Sequence, residues 1–144
     1  MATKKEKLAQ FGAIPLFSDL SQKDLSRILD RTKETVHAEG ESVVSEGHGG
    51  IGFHLITEGT ADVVRGGRKV DSLQSGDFFG EMTLIDGAPR SASVIATSDL
   101  TTIVLSQWEF KPLVKAHPEM AWKLIVYLSG RIRQEQCARD TAID

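Results

Sequence analysis

Two charged side chains in the segment 79–94, FGEMTLIDGAPRSASV, are flanked by small residues that leave room for a ligand. Gly80 precedes the carboxylate of Glu81, and Ser91 follows the guanidinium of Arg90. A carboxylate accepts hydrogen bonds from hydroxyl groups, and an arginine can bind the oxygen atoms of a phosphate in a bidentate manner. The pair therefore suits a ligand that carries both hydroxyls and an anion, and a sugar phosphate is such a ligand.

The local pattern predicts how this segment brings the two charges to one place. Residues 81–85 are predicted to form one helical turn, and a helix N-terminus offers free N–H groups to an anion. Residues 86–89, Asp-Gly-Ala-Pro, predict a turn that returns Arg90 over that N-terminus. A phosphate would repel Glu81, so we expect the carboxylate to accept hydrogen bonds from the sugar hydroxyls.

The same residues allow a purely structural interpretation. Glu81 and Arg90 could form an internal salt bridge that closes a loop and binds nothing. On the ligand hypothesis, Ser91 adds a hydroxyl donor, while Gly80 and Ala92 let the backbone approach the ligand. The residues of the segment alone leave both interpretations open.

The chain divides into a helical start (1–31), a strand-rich middle (32–106) and a helical end (107–139). The residues Ser-Gln-Lys-Asp at 21–24 predict a capping box that opens a helix. Seven or eight short alternating runs separated by glycines then predict an antiparallel barrel or sandwich, with a tight hairpin turn at residues 66–67. We therefore expect one mainly β domain over residues 1–144.

The helical end is predicted to contain two helices. Ser-Gln-Trp-Glu at 106–109 predicts a second capping box, and Pro118 should end the first helix near Ala116 and begin a second that runs to about Arg139. The second helix carries two apolar faces, more than its own domain needs to cover. The first face comprises Met120, Leu124, Leu128 and Ile132, and the second comprises Trp122, Ile125 and Val126.

Composition excludes several classes of protein. The chain has 144 residues with 17 basic and 20 acidic side chains, a formal charge of −3, so we expect no direct contact with nucleic acid. A single cysteine, Cys137, excludes an internal disulfide and fits a reducing compartment, and we expect a cytoplasmic protein. The apolar runs are too short to span a membrane.

Two other motifs give weaker signals. Residues 47–52, GHGGIG, match a dinucleotide-binding pattern, but a strand-like run follows where that pattern needs a helix, so we predict a loop between strands. His48, His54 and Glu58 suggest a metal site in a β-rich domain, but their spacing across a glycine loop favours unrelated side chains. We therefore predict no metal site, no resident cofactor and no catalytic residues.

The segment 79–94 resembles the phosphate-binding cassette of the cyclic nucleotide-binding domain family. That cassette is F-G-E-(apolar)-x-L-(apolar), followed by R-(small)-A and a valine, and this chain matches it without a gap. The resemblance extends to the motifs around residues 40–47 and 53–59 and covers about residues 12–137. It implies an antiparallel β-roll, a jelly-roll-like barrel, with an N-terminal helix and a C-terminal helical lid.

The resemblance also implies a role for each cassette residue. Glu81 would accept a hydrogen bond from the ribose 2′-hydroxyl, and Arg90 would pair with the cyclic phosphate, as would the hydroxyl of Ser91. The remaining contacts would come from the backbone of Gly80, Met82 and Ala92 and from the side chain of Thr83.

Two departures affect the choice of nucleotide. The residue after the arginine is Ser91, whereas threonine there accompanies cGMP preference in some members, so we expect cAMP rather than cGMP. The family covers the base with its last helix, where this chain has Gln134 and Gln136, either of which could contact an adenine edge while Arg133 stacks on the ring. The alternative is that these are solvated polar residues at a helix end.

The resemblance implies a non-enzymatic cAMP-binding regulatory domain. We expect the ligand to favour one position of the helix 118–139, which would contact an effector protein or form a homodimer through its second apolar face. One alternative is the ligand domain of a longer transcription regulator, because about five residues after the last helix are too few for a DNA-binding module. Another is a β-roll that has lost its ligand and serves only in protein contacts.

Overall fold

The computed structural model describes residues 3–47 and 52–143, with Met82 and residues 140–143 described by their backbone alone. Its helices are α1 (Lys4–Ala13), α2 (Gln22–Leu29), α3 (Glu81–Asp86), α4 (Gln107–Ala116) and α5 (Pro118–Ile143), with a short 3₁₀ helix at Pro15–Phe17. Its strands are β1 (Lys33–His37), β2 (Ser42–Val44), β3 (Gly52–Glu58), β4 (Ala61–Arg65), β5 (Arg68–Leu73), β6 (Phe78–Phe79), β7 (Ser93–Ala96) and β8 (Leu100–Ser106).

The strands form two antiparallel sheets with the orders β1-β8-β3-β6 and β2-β7-β4-β5. Strands that are consecutive in the chain repeatedly fall in different sheets, which is the pattern of a rolled jelly-roll topology. The predicted β-roll with helices at its ends is confirmed. Of the two predicted arrangements, barrel or sandwich, the described strands form the second, because their two sheets do not close into a barrel.

Strand β3 lies inside the first sheet and is buried at every residue except Glu58. Phe53 and Leu55 of β3 pack into the cluster that includes the helices. Ile56 belongs to a second cluster, which joins this sheet to the strands of the other one. Successive strand residues point to opposite faces, so β3 contributes to both clusters. The roll is therefore held by one core between its sheets and one under its helices.

The glycine pair at residues 66–67 forms the predicted hairpin turn between β4 and β5. Arg65 and Arg68 are register partners, so the loop has two residues. Gly66 has φ of +59° and Gly67 has φ of +77°, the positive values that a type I′ turn requires at both positions. This turn fixes the end of β4, next to the site described below.

The helix boundaries agree with the sequence at some ends and differ at others. The hydroxyl of Ser21 accepts a hydrogen bond from the Asp24 N–H at 3.1 Å, as the first capping box predicts. Ser106 occupies the N-cap of α4, but its side chain makes no capping hydrogen bond, so the second capping box was wrong. Ser106 is the last residue of β8, and α4 begins at the next residue, Gln107, without a hydrogen bond from the serine side chain.

Helix α5 begins at Pro118 as predicted and continues past Arg139 to Ile143. Its first apolar face packs only in its early turns. Met120 is fully buried and Leu124 is 5% exposed, whereas Ile132 is 60% exposed. The later turns of α5 extend beyond the helical core. Among the described residues, no helix is both long and apolar enough to cross a membrane.

Candidate functional site

The segment 79–94 folds as a strand, a short helix and a turn, as its sequence predicts. β6 ends at Phe79, and Gly80 occupies the N-cap of α3 with φ of +85°. Gly87 ends the helix with φ of +67°, and its N–H donates to the Thr83 carbonyl at 2.8 Å. Glycine is favoured in this left-handed region, so the two glycines set where α3 begins and ends.

Gly80 is also required by the approach of Arg90. A Cβ atom at position 80 would collide with the Arg90 guanidinium and with the Gly52 carbonyl oxygen. The missing side chain therefore lets the arginine cross under the start of α3. This close contact is the structural reason for a glycine immediately before Glu81.

Arg90 is buried, with 7% of its surface exposed. Its Nη2 donates to the Gly52 carbonyl oxygen, while its Nε has no hydrogen-bond partner among the described residues. Burial lowers the pKa of the Arg90 guanidinium, and the nearby Glu81 carboxylate acts in the opposite direction. A buried cation without a paired anion is costly, so this site favours a bound anion.

Glu81 does not form the internal salt bridge considered from the sequence. Its Oε1 lies 3.6 Å from Nη1 of Arg131 on α5, and among the described residues no ion pair joins Glu81 to Arg90. The structural interpretation of the two charges is therefore not supported. Glu81 instead connects the start of α3 to the long helix, and its side chain is 23% exposed.

The two charges border one cavity of about 320 Å³. It is lined by Val44, Val63, Arg65, Phe79, Gly80, Glu81, Thr83, Asp86, Ala88, Pro89, Arg90, Ser91, Ala92 and Val94. The charged and small residues of its lining come from the segment 79–94. Its lining also includes an apolar strip of three valines on neighbouring strands, because Val94 is the register partner of both Val44 and Val63.

The structure brings most of the predicted site residues together. Gly80, Glu81, Thr83, Arg90, Ser91 and Ala92 all line the cavity. The backbone of Met82 lies in the first turn of α3, and its side chain is outside the described part of the structure. Gln136 does not line the cavity, because it is exposed on α5 beside a separate shallow groove that includes Ile132 and Arg133.

Sequence reasoning missed the valine strip and Arg65. Alternating residues of a strand share one face, so Val63 and Arg65 of β4 both point to the cavity. That alternation is visible in the sequence. The pairing of β2, β7 and β4 is not visible there, and it is what places these residues beside the segment 79–94.

His54 is a buried residue of β3 that lies against one of the cavity-lining side chains, Phe79. Its ring stacks on Phe79 with centroids 4.7 Å apart, and its Nδ1 lies 3.4 Å from the Thr102 hydroxyl. Burial lowers the pKa of His54 to about 3, with a further contribution from the positive charge of Arg90. The histidine is therefore neutral at ordinary pH.

The two weaker motifs carry no site in the described part of the chain. His48 and residues 49–51 lie outside the described residues, so the histidine cluster is described only for His54 and Glu58. Within the described residues, no three His, Cys, Asp or Glu side chains could hold a metal ion together. Gly52 begins the strand β3, and the dinucleotide-binding pattern therefore lacks the helix that it needs.

Comparison with known proteins points to one family. The sequence matches the family described as cyclic nucleotide-binding domain over residues 34–117. A cAMP-dependent protein kinase regulatory subunit from Hypocrea atroviridis is 39% identical over 101 residues, a match that covers 70% of this chain. The chain spans only 22% of that subunit's length.

Two solved structures share the fold over most of this chain. The N-terminal domain of a transcriptional regulator from Streptomyces coelicolor A3(2) has a TM-score of 0.83 at 25% identity, covering 90% of this chain and 96% of that one. The catabolite activator protein of Thermus thermophilus has a TM-score of 0.70 at 28% identity, covering 89% of this chain and 62% of that one. With its cassette, fold and sequence match in agreement, the chain belongs to the cyclic nucleotide-binding domain family.

Proposed function

We propose that this chain is a non-enzymatic regulatory domain that binds cAMP in the cavity between α3 and the β2-β7-β4 strands. The observation that carries the proposal is the buried guanidinium of Arg90, which faces this cavity without a carboxylate partner among the described residues. An anionic ligand would compensate for that charge. Membership of the family supplies the class of ligand.

In the proposed complex the charged lining and the apolar lining of the cavity bind different parts of the nucleotide. Arg90 and the Ser91 hydroxyl bind the cyclic phosphate, and Glu81 accepts a hydrogen bond from the ribose 2′-hydroxyl. The Thr83 side chain and the backbone of Gly80, Met82 and Ala92 complete the phosphate and sugar contacts. The purine lies on the strip formed by Val44, Val63 and Val94.

The choice of cAMP is supported by sequence. The Hypocrea atroviridis relative is named a cAMP-dependent regulatory subunit. Serine at position 91, in place of threonine, agrees with this ligand. The protein needs no further cofactor in this proposal, and the domain acts in the cytoplasm without direct contact with a membrane or nucleic acid.

Helix α5 is the proposed output element. The carboxylate of Glu81, which is expected to bind the ribose, already contacts Arg131 of α5 at 3.6 Å. Ligand hydroxyls that engage this carboxylate change the environment of Arg131, and α5 shifts in response. Such a shift would also be needed to bring Gln136 to the adenine, since Gln136 does not line the cavity in this structure.

The exposed face of α5 is the proposed contact surface for a partner. Trp122 is 65% exposed, Ile125 54% and Val126 52%. Exposed apolar groups of this size mark interaction surfaces. We expect them to contact an effector protein, such as a kinase catalytic subunit, or a second copy of the chain.

A second candidate function is the ligand domain of a longer transcription regulator. The TM-score of 0.83 to the N-terminal domain of such a regulator favours it. Both candidates share the nucleotide site and differ in the partner of α5. A β-roll that only makes protein contacts is disfavoured, because Glu81, Arg90 and Ser91 all line the cavity.

Calorimetric titration with cAMP, adenosine and ribose 5-phosphate tests the proposal. We expect saturable cAMP binding with one site per chain. Adenosine should bind far more weakly because it lacks the phosphate that compensates Arg90, and ribose 5-phosphate should bind weakly because it leaves the valine strip uncovered. Equal affinity for cAMP and adenosine would contradict the proposed role of the arginine.

A further inference from the structure

A row of polar side chains leads from the surface of the roll to the buried ring of His54. Glu41 and His37 lie at its outer end, where their side chains are 54% and 20% exposed. At its inner end Thr102 is fully buried, and His54 is 4% exposed. The His54 ring stacks on Phe79, so the row ends at a wall of the proposed nucleotide cavity.

Hydrogen-bond contacts join each neighbouring pair in this row. Oε2 of Glu41 lies 3.0 Å from Nδ1 of His37, and Nε2 of that histidine lies 3.2 Å from the Thr35 hydroxyl. The Thr35 hydroxyl lies 2.7 Å from the Thr102 hydroxyl, which lies 3.4 Å from Nδ1 of His54. The two threonines meet because they are register partners on β1 and β8. These side chains, from Glu41 to His54, form a continuous relay.

The relay can run in only one direction while His37 is neutral. A carboxylate only accepts hydrogen bonds, so the proton of His37 lies on Nδ1, and its Nε2 accepts from the Thr35 hydroxyl. Each hydroxyl has one proton, and among the described residues these two hydroxyls bond only to each other and to the two histidines. Thr102 must then donate to Thr35, which leaves Nδ1 of His54 to donate to Thr102. In this state Nε2 of His54 carries no proton.

A proton on Nε2 of His37 reverses the relay. The protonated ring donates from both nitrogens, so the Thr35 hydroxyl turns and donates to Thr102. Thr102 in turn donates to Nδ1 of His54, whose own proton must then lie on Nε2. The change takes up one proton from the solvent, and His54 stays neutral in both states.

We propose that the relay is a pH-sensitive switch, in which protonation of His37 at the surface sets the tautomer of the buried His54. Histidine is the side chain whose charge ordinarily changes between about pH 5 and pH 8. Among the described residues, Glu41 is the charged group in direct contact with His37. The two histidines also line a second cavity of about 240 Å³, whose charged residues are Arg31, Lys33 and Glu109. The switch does not depend on the identity of the bound ligand.

Nitrogen NMR of the ¹⁵N-labelled protein tests the switch, because it distinguishes a bare ring nitrogen from a protonated one. At about pH 8 we expect His54 to carry its proton on Nδ1 and to be bare at Nε2. As His37 becomes protonated in the same spectra, the major tautomer of His54 should invert with the same midpoint. A His54 tautomer that stays unchanged after full protonation of His37 would overturn the proposal.

Thr35→Val removes the hydroxyl that joins the two halves of the relay, so the inversion at His54 should be lost. His37→Gln tests the outer end independently and should leave His54 with one tautomer throughout the titration. Thr101→Val is the matched control, because Thr101 precedes Thr102 on β8 and its side chain points to the opposite face of the sheet. The inversion should persist there. Inversion in Thr35→Val or His37→Gln, or its loss in Thr101→Val, would overturn the relay.

Discussion

At the scale of single residues, Glu81 and Arg90 differ in what surrounds them. Arg90 is buried and bonded to the Gly52 carbonyl, whereas Glu81 is partly exposed and contacts Arg131. The arginine therefore needs an anion from outside the chain, and the carboxylate keeps oxygen atoms available to hydroxyl groups. This difference supports separate tasks for the two charges.

We expect Glu81→Gln to weaken cAMP binding by about 1.5–3 kcal/mol, because a hydrogen bond to a charged acceptor is lost. The same change should have little effect on 2′-deoxy-cAMP, which lacks the hydroxyl that Glu81 is proposed to bind. Calorimetry with both nucleotides measures the difference. Asp86→Asn is the control, since Asp86 lines the same cavity and loses the same charge. Equal losses for the two nucleotides would contradict the ribose contact.

From the sequence alone, His54 is only a candidate metal ligand. The structure instead places its ring against Phe79. Its pKa falls from 6.5 to about 3 because burial disfavours the charged form. In the unfolded chain the histidine binds a proton below pH 6.5, and in the folded chain it does so only near pH 3.

The stability contributed by a neutral His54 is therefore lost as the pH falls below 6.5. Each pH unit of acidification down to the folded pKa should cost about 1.4 kcal/mol of unfolding free energy from this group. Denaturant unfolding between pH 6 and pH 4 measures this loss. We expect the unfolding free energy of His54→Gln to fall less steeply with acidification than that of the wild type. If the unfolding free energies of the two proteins depended on pH in the same way, the lowered pKa of His54 would be contradicted.

At the scale of elements, the sequence predicted the helices and strands well where local signals were strong. The glycine pair at 66–67 and the proline at 118 each fixed a boundary through their own backbone geometry. The end of α5 was predicted too early, because no glycine or proline marks it. The sequence could predict only the part of the cavity that the segment 79–94 lines. The rest of the valine strip comes from strands that are distant in sequence.

Helix α5 and the cassette are connected by the Glu81–Arg131 contact. Arg131 is 43% exposed, so its removal should change stability by less than about 1 kcal/mol. We expect Arg131→Ala to bind cAMP and yet to transmit less of the signal to α5. Cys137 is the single cysteine of the chain and lies on α5, so a fluorophore attached to it would report a movement of this helix.

In the wild type, saturating cAMP should change the fluorescence of the label, and in Arg131→Ala the change should fall by about half or more. Lys123→Ala removes one positive charge from the same helix and should respond like the wild type. An identical response in Arg131→Ala, measured at full saturation, would contradict a role for this ion pair in coupling.

At the scale of the whole molecule, the largest unexplained feature is apolar surface on α5. Its early turns bury Met120 and Leu124 against the core, while Trp122 and Ile125 face outward. The sequence predicted this second face from helical periodicity. It could not predict which of the two faces packs on the roll, because that depends on the position of α4 and the N-terminal helices.

We expect the chain to self-associate through this face at high micromolar concentration. Sedimentation equilibrium should show a dimer, and the double substitution of Trp122→Glu and Ile125→Glu should give a monomer because it buries charge in the interface. Val36→Glu is the control, since Val36 is 72% exposed on β1, away from α5. A monomeric wild type, with and without cAMP, would contradict dimerisation and leave an effector protein as the partner.

The central claim is that the buried guanidinium of Arg90 binds the phosphate of a cyclic nucleotide. Its most direct test is calorimetric titration of cAMP into the wild type and into Arg90→Leu, with thermal unfolding to show that both are folded. We predict that the substitution weakens binding by about 2–5 kcal/mol, the cost of losing a desolvated charge pair. Equal affinity of the folded wild type and Arg90→Leu for cAMP would contradict the account.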